Sequence, residues 1–179
     1  LIEAGTPSYD NPNIHTLYST VIGHNVLDAD GITPKKSTAP ITISTLDSDG
    51  GDIGVDVTEC YPGLERWVRK IGWDAERLEV SDRVVSGSDA RLLTFRWHLG
   101  TYREVTITGS ENSWIAEWHD GTVSIESSVP VDVTVENLPD NTVVFGRRHN
   151  DWDYVHPCIV VRTAEVATEL DLKTVVTPK

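Results

Sequence analysis

The chain has 179 residues, 39% hydrophobic and 24% charged, with 15 Lys and Arg against 28 Asp and Glu for a formal net charge of −13. That length suits one domain, and the composition is that of a globular chain rather than a disordered one. The acidic balance argues against a nucleic-acid partner, which needs clustered Lys and Arg, and no apolar run approaches the length that spans a bilayer.

The chain opens Leu1-Ile2-Glu3-Ala4-Gly5 without the basic segment of a secretory leader, and it contains no Met. Such a start is what a mature, cleaved or excised segment gives. From there, strand signals dominate. Residues 19–31 form a short β-like run that carries His24-Asn25 and closes on the turn pair Asp30-Gly31. Further β-branched or aromatic runs follow at 41–46, 53–57, 65–71, 77–85, 92–98, 104–108, 114–119, 122–127, 131–136, 142–145, 154–162 and 167–177. Clusters of Gly, Asp, Asn, Ser and Pro separate them, which is the pattern of strands joined by turns. Within 61–69 a helix competes, but the Pro62-Gly63 start and the β character of Trp67-Val68-Arg69-Lys70-Ile71 favour a turn feeding a strand. Asp120-Gly121 between two alternating runs is a hairpin signal, and Pro139-Asp140-Asn141 reads as a turn. In 131–136 the valines alternate with Asp, Thr and Glu, so that strand has one buried face and one solvated face. About a dozen strands in one domain, residues 1–179, predict an all-β fold: a large antiparallel two-sheet sandwich.

Several residues could carry chemistry on their own account. The loop Gly146-Arg147-Arg148-His149-Asn150-Asp151-Trp152 joins two guanidinium groups, which suit carboxylates and sulfates, to an indole that can stack on a sugar; Arg147, Arg148 and Trp152 are therefore candidates for substrate binding, against the alternative of a solvated hairpin with internal ion pairs. Six Trp residues allow a sugar platform, with Trp114 and Trp118 on one face of a strand, but burial in a sandwich core is the expected use of such rings. Cys60 and Cys158 match no metal-binding spacing and are either one long-range disulfide or two buried thiols.

The segment Ser19-Thr20-Val21-Ile22-Gly23-His24-Asn25, continuing to Asp30-Gly31, resembles the Ser-Thr…His-Asn…Asp-Gly motif in the β-sandwich of heparinase II/III-like polysaccharide lyases. In the same order along the chain, Gly5 to Asp10, Tyr61-Pro62-Gly63 with Arg69, residues 78–84, Trp97-His98-Leu99 and residues 172–178 resemble further pieces of that domain. The resemblance implies the sandwich half of an enzyme that cleaves uronate-containing acidic polysaccharides such as heparan or alginate by β-elimination. An N-terminal (α/α) toroid of the same parent chain would supply most of the catalytic groups, so the isolated domain would be inactive. A periplasmic or secreted setting is the favoured expectation. The resemblance also implies a zinc site, with His24 as one ligand, His98 as a second imidazole and Asp47, or its neighbours Asp49 and Asp52, as the carboxylate. Tyr61 and His15 are the expected catalytic residues at the cleft, Tyr61 being flanked by Arg66 and Arg69, which would lower its pKa. Where some relatives carry an additional His, this chain has Ile22. A stand-alone carbohydrate-binding module is the alternative, and a ligand-free structural domain a third possibility.

Overall fold

The computed structural model describes residue 15 and residues 20–101, 103–139 and 155–179. Among these there is no α-helix. Twelve strands form two antiparallel sheets, as the alternation predicts. The smaller sheet contains β1 (Leu27–Ala29), β6 (Leu93–His98), β10 (Val131–Pro139) and β11 (Val155–Thr163), in the order β1-β6-β11-β10. The larger contains β2 (Ile41–Leu46), β3 (Gly51–Asp56), β4 (Arg66–Trp73), β5 (Leu78–Val85), β7 (Thr106–Ser110), β8 (Ser113–Trp118), β9 (Gly121–Ser127) and β12 (Glu169–Pro178). Their order is β2-β3-β4-β5-β12-β9-β8-β7, so the last strand of the chain lies in the middle of the sheet.

The strands form where period-two alternation lets one face be buried. In β9, Val123 and Ile125 are buried while Thr122 and Ser124 are only half-buried. The core lies between the sheets: Trp67, Val80, Val84, Leu170 and Leu172 from the larger meet Leu27, Phe95, Trp97, Ile159 and Val161 from the smaller. Trp67 and Phe95 meet edge to face, and Phe95 and Trp97 are stacked at 6.4 Å. Residues 61–69 resolve in favour of the strand. A single 3₁₀ turn, Thr58–Cys60, precedes Pro62-Gly63, where Gly63 takes φ 111°, and β4 begins at Arg66.

The wider sheet overhangs the narrower one. β1, the edge of the smaller sheet, is anchored over β4 through Tyr61, and β2 and β3 continue beyond it. β2 is exposed along its whole length, with Ile41, Ile43 and Leu46 each about 60% accessible (63%, 59% and 64%). Trp114 and Trp118 are half-buried and pack against the core, and the Trp114 indole donates to the carbonyls of Glu111 and Val131. Both cysteines are free thiols; burial pushes the Cys158 thiol up to about 12, so it stays protonated and packs as an apolar group. The expected run at 142–145, the turn at 139–141 and the loop at 146–154 lie in whole or part outside the described residues.

Candidate functional site

The loop that carries His24 is held from three directions. Its first part is a 3₁₀ turn, Val21–Gly23, capped by Thr20, whose Oγ1 accepts from the Ile22 N–H at 3.3 Å. His24 and Asn25 follow and lead into β1. The Asn25 side chain is tied to β6: its Oδ1 accepts from the backbone N–H of His98 at 2.8 Å. The Asn25 carbonyl accepts from Arg69 Nη1 at 2.6 Å. The Ile22 carbonyl lies 3.0 Å from His98 Nε2.

Those contacts fix the chemistry of His98. A carbonyl can only accept, so in the neutral ring the proton sits on Nε2, and Nδ1 is the acceptor. His98 Nδ1 lies 2.7 Å from His156 Nε2, so His156 donates that bond. Both rings are fully buried. Their meeting follows from the pairing of β6 with β11, in which His98 stands opposite Cys158 and His156 lies two residues further on the same face.

Arg69 is the other support. Its Nε and Nη2 bind the two oxygens of Asp82 at 2.8 and 3.0 Å, a bidentate pair whose carboxylate side chain has no accessible surface. Trp67 Nε1 donates to the same carboxylate at 2.7 Å. The guanidinium lies 5.4, 5.9 and 5.2 Å from the ring centres of Trp67, Phe95 and Trp97. An ion pair in an apolar core is tolerated because every oxygen is hydrogen-bonded and the aromatic faces offer the cation a negative surface.

The residues expected from the sequence are thus distributed unevenly. His24 is half-buried on the clamped loop, and His98 is part of the clamp. Asp47 is exposed in the β2–β3 turn, where its Oδ1 accepts from the N–H groups of Asp49 and Gly50 at 2.8 and 3.1 Å. Among the described residues no three His, Cys, Asp or Glu side chains gather as a metal site. Of the expected zinc set, both ring nitrogens of His98 lie against protein atoms and Asp47 accepts from its own turn, and the described contacts bring neither to His24.

Tyr61 is 4% exposed and donates its hydroxyl to the Leu27 carbonyl at 2.7 Å. Burial raises its pKa well above the usual phenol value, and the Arg69 charge only partly offsets this. Its geometry is that of an anchor between β1 and the larger sheet. His15 is exposed. Arg147, Arg148 and Trp152 lie outside the described residues. Sequence reasoning missed the parts played by Asn25, Asp82 and His156. Asn25 stood beside His24 in the motif, but nothing local announced the pairing of two histidines 58 residues apart.

Two stacked antiparallel sheets of four and eight strands define a large β-sandwich. Heparinases are among the solved structures to which the chain is similar. A heparan sulfate lyase HepC mutant from Pedobacter heparinus superposes with a TM-score of 0.73 at 14% identity, over 98% of this chain and 28% of that one. A structure of heparinase III gives 0.70 at 13% identity, over 98% and 27%, and the heparinase III BT4657 gene product gives 0.70 at 11% identity, over 99% and 28%. The chain therefore has the fold of a heparinase-type β-sandwich, and it spans little more than a quarter of the length of those enzymes (27–28%). No family model and no curated protein matches the sequence.

Proposed function

We propose that the chain is the β-sandwich part of a polysaccharide lyase that cleaves uronate-containing acidic glycans by β-elimination, and that it needs a helical toroid from the same parent chain to act. The observation that carries this reading is the likeness to heparan sulfate lyases along 98% of the chain, together with the small fraction of those enzymes it covers. β-Elimination requires a base for the proton α to the uronate carboxylate, a positive or hydrogen-bonding group to stabilise the enolate, and an acid for the leaving oxygen. His24 is the ionisable side chain on the clamped loop, and an imidazole is suited to moving a proton near neutral pH. A loop tied at Ile22 and Asn25 limits how far that imidazole can wander, which is what a proton transfer over hydrogen-bond distance demands.

The test is direct. Elimination creates a carbon–carbon double bond conjugated to the carboxylate, which absorbs in the ultraviolet. The parent chain is expected to release such product from heparan sulfate or another uronate-containing glycan, while the 179-residue chain alone releases none. A parent chain that yields no unsaturated product from any of these glycans overturns the assignment.

A further inference from the structure

The outer face of the larger sheet, turned away from the smaller sheet, holds a groove of about 510 Å³, within the size range of binding sites. In a chain of net charge −13 its lining gathers four cations, Arg66 and Lys70 from β4, Arg83 from β5 and Lys173 from β12, with the carboxylates of Glu126 and Asp171 in the lining and those of Glu79 and Glu169 beside it. The Asp82 that also borders it points inward and is neutralised by Arg69.

The register explains the gathering. Lys70, Ser81 and Lys173 form one cross-strand row, so the two lysines stand two strands apart, about 10 Å at their backbones. Arg66 and Lys70 lie on the same face of β4, four residues and about 13 Å apart. The four cations thus mark out a plate, not a point. Two of them are occupied by exposed partners: Arg83 pairs with Asp171 at 2.9 Å and Glu169 at 3.4 Å, and Lys173 with Glu79 at 3.2 Å. Such exposed pairs contribute little and exchange readily. Arg66 and Lys70 have no ion pair with any described residue and are exposed, so they meet an incoming anion without losing a partner.

We propose that this groove binds a short acidic oligosaccharide bearing carboxylate or sulfate groups; the choice of glycan class rests on the function proposed above. The spacing suits several anionic groups along a chain rather than one phosphate or carboxylate, on which the cations cannot converge. Ser81, Ser128, Glu126 and Asp171 offer the hydrogen-bonding partners that sugar hydroxyls need. An acidic peptide fits less well: Val68 is the main apolar side chain of the floor, and the groove lies over the middle of the sheet, where no strand edge is open for β-addition.

The experiment titrates the 179-residue chain with a size-defined heparan sulfate oligosaccharide at low salt, reading the affinity by calorimetry and the location by backbone amide shifts. Binding is expected to perturb β4, β5 and β12, to weaken as salt rises, and to fall about ten-fold or more in an Arg66→Ser/Lys70→Ser variant whose melting temperature is unchanged. No binding, binding indifferent to that variant, or shifts confined to the His24 loop would each overturn the proposal. The two readings fail separately. Elimination by the parent chain without binding at the groove removes the groove alone, and binding at the groove without elimination removes the lyase reading and leaves a glycan-binding sandwich.

Discussion

Arg69 and Lys70 are neighbours on β4, and the sheet sends them into opposite media. Arg69 faces the smaller sheet, where it is clamped by Asp82, roofed by three aromatic rings and bonded to the Asn25 carbonyl. Lys70 faces outward onto the groove with no ion partner among the described residues. The same formal charge is structural on one face and available to a ligand on the other, and only the period-two geometry of the strand decides which. The inner face uses its charge to fix the His24 loop; the outer face leaves Arg66 and Lys70 without an ion pair among the described residues.

The largest effect that can break this comparison is expected on the inner face. Asp82→Asn leaves the buried Arg69 guanidinium uncompensated, and such a change costs about 3–5 kcal/mol. Chemical denaturation should show that loss with little change in the slope of the transition. On the outer face, the Arg66→Ser/Lys70→Ser variant should unfold within about 0.5 kcal/mol of the wild type, because exposed charges without partners contribute little. Equal losses on the two faces would erase the distinction.

A smaller effect is expected in acid. Asp56 sits below the usual carboxylate range because the Thr58 hydroxyl, and then its backbone N–H at 3.1 Å, bind the carboxylate. Its folded-state pKa is depressed, so its contribution is present above the ordinary carboxylate value and is lost as the pH falls through the lowered one, that is, below about pH 4. Melting curves of wild type and Asp56→Ala over falling pH should therefore converge in acid, by a small margin since Asp56 is exposed.

Much of the fold was legible because its strands alternate. The run expected at 77–85 is β5, Leu78–Val85, and that at 122–127 is β9, Gly121–Ser127. β1 is only three residues, Leu27-Asp28-Ala29, too short to announce itself by period, and it was visible only as the tail of the His-Asn segment. The width of each sheet was not legible, because nothing local says that β12 inserts between β5 and β9. The site was legible by residue type and not by geometry. His24, Asn25, Arg69 and His98 were all marked in the motif series, but a metal set was expected where the pairing of β6 with β11 instead joins His98 to His156. Tyr61 was marked as a cleft residue by the resemblance, with its neighbouring arginines expected to lower its pKa, whereas Arg66 points outward, Arg69 is engaged by Asp82 and Asn25, and burial raises the pKa.

The most direct test of the account is the turnover of uronate-containing glycan by the parent chain carrying His24→Ala, compared with the unaltered parent. Loss of general acid–base help predicts a fall in kcat of roughly a hundred-fold or more, with KM little changed and the fold intact by circular dichroism. A His24→Ala parent that keeps its full kcat would contradict the claim that this clamped loop exists to hold a proton-transferring imidazole.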